Sequence, residues 1–207
     1  RSRLVEATMN SDIATQLIAL RDRDLAKRSE LAERGELHEG YHPEMEAVHA
    51  ENARAFEGIL DTDGWPRVSE VGMEAATAAW MLATHAIGQP DFQRRCLAAL
   101  EEAVEDDEAP AAHAAMLLDR ICFNERRPQL YGTLLDWDEN DELSPWPIED
   151  AGGVEERRRE IGLPPLDESI ARSRAQAEVE GGRAPKSHAE RQAEIDAWAR
   201  RTGWLED

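Results

Sequence analysis

Two imidazoles, an amide and a carboxylate are the residues of this chain best placed to do chemistry together. At 100° per residue, His49 and Asn52 fall within the helical arc set by Met45, Val48, Phe56 and Ile59, so both are expected to point into a core. His85 continues the row Val71, Ala75, Ala78 and Leu82 near the end of another helix, where an imidazolium also gains from the helix dipole. Buried polar groups need partners, since leaving one unpaired costs about 1–3 kcal/mol. Three inward polar side chains therefore predict a polar pocket between helices. His49, His85 and Asp119 are the expected proton-transfer groups there. The same two histidines with a carboxylate such as Asp119 could hold a metal in a facial arrangement with open positions. Nothing in the sequence fixes that third ligand, so no metal ligand set and no cofactor is assigned.

The second ingredient is the run Gln129-Leu130-Tyr131-Gly132-Thr133, which follows a helix and Arg127-Pro128 and places three hydrogen-bonding side chains on one short extended segment. Asn52, Arg120, Gln129, Tyr131 and Thr133 are expected to bind and orient a small polar metabolite. Arg120 could clamp a carboxylate bidentately, or satisfy carbonyls at a helix end. Asp119 and Arg120 are successive residues, about 100° apart, and cannot simply face each other. A second pattern, His38-Glu39-Gly40-Tyr41-His42, matches the His-Glu-x-x-His spacing of zinc hydrolases. Its context is wrong for that chemistry, because Gly40 lies inside the motif and Pro43 directly follows it, in a break between helices. Arg157-Arg158-Arg159 is expected to pair with this protein's own carboxylates. No nucleophile elbow, phosphate-binding glycine loop or cysteine–histidine neighbour is present.

The elements that must position these residues are mostly helical. Apolar spacing predicts helices over residues 11–34, 43–60, 69–87, 91–105 and 111–124, with Ser69 as an N-cap and the alanine-rich third helix as the buried spine. Gly64-Trp65-Pro66 ends the turn before that spine with an aromatic plug. Residues 129–137 and 143–148 read as a loose hairpin whose second strand is demoted to an edge by Pro145 and Pro147. A short helix over 154–161 stops at Gly162, and another is expected from Asp167. After a linker at 180–186, Ser187-His188-Ala189-Glu190 is a capping box for a last helix bearing Ile195, Trp198 and Trp204. The expected architecture is mainly α: a helical bundle of about five core helices, a small β-hairpin and a C-terminal helical tail.

With 44 acidic against 24 basic residues and a net charge of −20, the surface repels phosphate backbones and anionic lipid, so neither nucleic acid nor membrane is an expected partner. Cys96 and Cys122 sit among apolar residues and imply no disulfide framework, and no apolar run approaches a membrane span. A cytoplasmic protein is the expectation.

In order along the chain, Gly64-Trp65-Pro66, Val71-Gly72, Ala79-Trp80, His85-Ala86, Phe92-Gln93, Cys96-Leu97, Asp119-Arg120, Gln129 to Thr133, and Arg157-Arg158 followed by Gly162-Leu163-Pro164-Pro165-Leu166 resemble a bacterial family known only as a domain of unknown function. The resemblance covers about residues 12 to 166, implies a mostly helical fold and supplies no activity. Thr84 and Leu134 stand where members often carry Gln. A helical domain over 1–166 and a helical extension over 167–207 follow from it. The extension motivates a competing expectation: a non-catalytic accessory subunit that holds a protein partner, or a homo-oligomer, through its acidic surface and last helix.

Overall fold

The computed structural model describes residues 2–36 and 40–206, with side chains from residue 10 onward. Two compact units divide it, Arg1–Ala114 and Ala115–Asp207. The mainly α expectation holds, and a two-stranded antiparallel sheet is the β component among the described residues.

The first unit is built from α1 (Ser2–Glu33), α2 (Pro43–Asp63), α3 (Val68–His85) and α4 (Pro90–Glu105). α1 starts at Ser2 instead of residue 11. Its buried stripe is Leu17, Asp24 and Leu31, a seven-residue spacing that returns to the same face every two turns. α3 lies along α1, and buried Ala75, Ala76, Ala78, Ala79 and Ala83 keep its surface low enough for close packing. Phe56 meets Trp65 and Phe92 edge-on at 5.7 and 5.8 Å, so the Gly-Trp-Pro turn does plug the core with its indole.

α3 does not begin as expected. Ser69 is no N-cap: its backbone N–H and its hydroxyl both donate to the Glu108 carboxylate, at 2.9 and 2.7 Å. The first turn then breaks at Gly72 (φ 79°, ψ 160°), a conformation that only glycine adopts cheaply, before the helix continues to His85. A charged acceptor outcompetes a local cap here.

The second unit holds the body of α5 (Ala111–Asn124), β1 (Leu135–Trp137), β2 (Leu143–Pro145), a 3₁₀ turn (Ala151–Gly153), α6 (Val154–Glu160), α7 (Leu166–Val179) and α8 (His188–Thr202). The hairpin is shorter than expected, with Leu135 opposite Pro145 and Trp137 opposite Leu143. Residues 129–134 are instead a loop, linked to the segment after β2 by a bridge between Gln129 and Ile148 and by the Trp146 N–H, which donates to the Leu134 carbonyl at 2.9 Å. α7 is tied to its own unit by Arg174, which donates to the Leu143 carbonyl at 2.8 Å, and by Ser169, which accepts from Arg158 at 2.6 Å. α8 is tied likewise: Arg126 pairs with Asp196 at 2.8 Å, Arg191 with Asp136 at 2.6 Å, and Ala199 and Trp204 are buried.

Gly132 (φ 68°) turns the loop where a Cβ would stand 2.8 Å from Leu166 Cδ1 and 2.9 Å from Ile148 Cδ1. Gly132→Ala combines a left-handed backbone with overpacking and should destabilise the protein by about 1–3 kcal/mol. Urea denaturation of the two proteins measures it; equal midpoints would contradict the packing described.

Candidate metal centre

In the first unit, three helices deliver Asp24, His49 and His85 to one point. Asp24 comes from α1 and is fully buried, His49 from the second turn of α2, and His85 is the last residue of α3. His85 Nδ1 lies 2.9 Å from Asp24 Oδ2, and His49 Nε2 lies 3.1 Å from the same oxygen. The imidazole centroids are 5.0 Å apart. The His49 side chain is 10 % exposed and that of His85 31 %, so the cluster opens toward solvent on the His85 side. Tyr41, in the turn before α2, completes the set: its Oη lies 2.8 Å from His49 Nδ1 and its ring stacks on that imidazole at 5.7 Å.

A buried carboxylate is costly unless paired, and burial on its own would push the Asp24 carboxyl up. The facing imidazoles outweigh that and hold it well below the usual carboxylate range. Burial, with the nearby Glu46 and Asp24 charges, pushes the Tyr41 hydroxyl above its ordinary range, so it stays a neutral phenol. Two atoms at the centre of the cluster are nevertheless left over. Asp24 Oδ1 is buried with no hydrogen-bond partner, and His49 Nε2, although close to Oδ2, is not aligned to bond it.

The frame around the cluster is specific. Asn52 accepts from Arg23 Nε at 3.1 Å and donates to the Leu20 carbonyl at 3.1 Å, so its amide clamps α2 to the turn of α1 that leads into Asp24. It was expected to meet a ligand; its hydrogen bonds go to α1. Gln93, fully buried on α4, donates to the carbonyls of Ala83 and Thr84 at 2.7 and 3.1 Å, which fixes the last turn of α3 just before His85.

The remaining expected site residues lie in the second unit and do different work. Asp119, also fully buried, accepts from Leu130 N (2.8 Å), Tyr131 N (3.1 Å), Thr133 N (2.9 Å) and Thr133 Oγ1 (2.9 Å). Its oxygens are filled by the loop, and the carboxylate that meets the two histidines is Asp24. Gln129 donates to the Leu134 and Trp146 carbonyls at 2.9 and 2.7 Å and accepts from Leu134 N at 2.9 Å. The Tyr131 carbonyl accepts from Arg158, whose buried guanidinium also reaches the Pro164 carbonyl at 2.8 Å. Arg157 donates to the carbonyls of Leu130, Glu149 and Asp150. These arginines thus serve backbone oxygens more than the expected carboxylates. Arg120 is held down to about 10 by burial, and its Nε has no hydrogen-bond partner. The Gln-Leu-Tyr-Gly-Thr run is therefore a folded loop whose polar groups bind inward.

The His-Glu-x-x-His reading fails at its described end. His38 and Glu39 lie outside the described residues, while His42 Nδ1 accepts from Glu44 N at 3.2 Å as the N-cap of α2. Glu36, His42 and Glu44 also approach one another, but Lys27 and Arg34 already neutralise the two carboxylates.

Asp24 was hidden from sequence reading by the alternating run Arg21-Asp22-Arg23-Asp24, which looks like a solvated face. Its signal was the seven-residue spacing with Leu17 and Leu31. Leu25, the next residue in the chain after Asp24, is 45 % exposed.

A family model described as a family of unknown function, DUF6624, matches residues 11–178. The chain belongs to that family. The match takes in Asp24, Tyr41, His49 and His85, runs on beyond the expected end at residue 166 through almost all of α7, and leaves α8 outside. Neither a curated protein nor a solved structure matches the chain. Among the described residues of this DUF6624 protein, no helix is long and apolar enough to cross a membrane.

Replacing Asp119 by Ala strips three loop N–H groups and a hydroxyl of their shared acceptor and should cost about 3–5 kcal/mol of stability. Thermal or urea unfolding reads this out, and a loss below about 1 kcal/mol would mean that water replaces the carboxylate easily.

Proposed function

We propose that the first unit carries a divalent-metal centre held by Asp24, His49 and His85, which binds and polarises a small polar metabolite. The observation that carries this reading is the convergence of three ligands, two imidazoles and one carboxylate, from three helices, with their donor atoms all within 4.8 Å of one another and the other oxygen of that buried carboxylate, Oδ1, without a hydrogen-bond partner. Ligand bonds of about 2.1 Å put neighbouring donor atoms about 3 Å apart, the spacing found between Asp24 and each imidazole. Two imidazoles and one carboxylate leave coordination positions open, and they suit zinc or ferrous iron better than magnesium or calcium. A metal so held carries charge to polarise a carbonyl or phosphoryl oxygen, or to lower the pKa of a bound water to about 7. The 31 % exposure of His85 gives substrate its approach. The chemistry is then Lewis-acid-assisted addition to, or hydrolysis of, a small polar molecule.

A second reading rests on the aligned His85–Asp24 hydrogen bond. Asp24 would orient His85 as a general base without a metal, as a carboxylate orients the imidazole of a hydrolytic triad.

Titration of chelator-stripped protein with Co²⁺ or Zn²⁺ separates the two. The metal reading expects one equivalent bound, a Co²⁺ d–d spectrum of low coordination number, and a rise in melting temperature of about 5–10 °C at a hundredfold excess over Kd. Asp24→Ala and His85→Ala should abolish all three. No binding by the wild-type protein removes the metal reading and leaves the general base.

A further inference from the structure

An imidazole that binds a metal through Nε2 must carry its proton on Nδ1, and something must accept that proton if the ring is buried. His49 is such a ring: Nε2 faces Asp24, and the group opposite Nδ1 is the Tyr41 hydroxyl, 2.8 Å away. A phenol can accept from Nδ1–H, or donate to a bare Nδ1, without changing charge. A carboxylate in that place could only accept, and it would add a second negative charge beside Asp24. The stacked geometry, 28° between the rings, also fixes the plane of the imidazole and so the direction in which Nε2 points. Tyr41 stands just before Pro43, the first residue of α2, and so outside the three helices that carry the proposed ligands.

We propose that Tyr41 is a positioning residue of the metal centre: its Oη accepts the Nδ1 proton of His49 and thereby holds the Nε2 lone pair toward the cation beside Asp24. The proposal rests on the metal reading above and adds the residue that selects the tautomer. In the metal-loaded state the His49 ring carries its single proton on Nδ1, and the phenol hydrogen turns outward from the ring.

Zn²⁺ titration of the wild type and of Tyr41→Phe, together with long-range ¹H–¹⁵N spectra of histidine-labelled protein, tests it. Zn²⁺ affinity should fall 10- to 100-fold in Tyr41→Phe, in the range typical for groups behind a metal ligand, with the metal-free melting temperature preserved. The zinc-loaded wild type should show His49 protonated at Nδ1, with a proton that exchanges faster in the variant. Equal affinity and equal exchange overturn the role of Tyr41 while leaving the metal centre standing; a wild type that binds no Zn²⁺ overturns both. If Tyr41→Phe fails to fold, the wild-type spectrum decides, because a zinc-loaded His49 protonated at Nε2 contradicts the proposal outright.

Discussion

A single fully buried carboxylate governs the first unit. Asp24 replaces what would be a leucine in the seam of α1, between Leu17 and Leu31, and a bare charge at that depth would oppose folding by several kcal/mol. The helices that pack against α1 therefore have to bring compensation, and each brings one imidazole. The alanine-lined face of α3 and the Asn52 clamp of α2 follow from that need, since they bring the two rings within 3.1 Å of the carboxylate. Even so, one carboxylate oxygen and one ring nitrogen stay unmatched.

The second unit solves the same problem in the opposite way. Asp119 is as deeply buried as Asp24, yet four donors from one loop occupy its two oxygens, and Arg158 on the far side of the same loop donates to the Tyr131 carbonyl. Saturation of this kind gives rigidity and leaves no chemistry. Two buried aspartates of identical type thus differ by what their neighbours leave unfilled.

Much of this was legible in the sequence. The aromatic plug at Gly64-Trp65-Pro66 follows from turn chemistry, and the helices of the body and the inward placement of His49 and Asn52 follow from helical periodicity, which depends only on near-neighbour geometry. The membership of Asp24 was not legible, because a charge inside an Arg-Asp-Arg-Asp run is read as solvated unless its heptad partners are weighed first. The loop at 129–134 looked like a strand because Pro128 forces extended geometry before it and Tyr and Thr favour extended backbone; what bends it is a carboxylate ten or more residues upstream, an interaction that local spacing does not encode. Gln129 binds the backbone of Leu134 through both atoms of its amide and makes no use of that residue's side chain.

Gln93 gives the molecule a further property. One side-chain amide reads two consecutive carbonyls at the end of α3, so the rotation of that helix about its axis is indexed to α4. The outer surface of α4 can drift freely in composition, but position 93 cannot exchange its amide for a carboxylate without setting like partial charges against each other at the foot of the His85 ring. A mutation eight residues downstream of the imidazole would then turn the end of the helix that carries it, so the orientation of the His85 ring is set in part from α4.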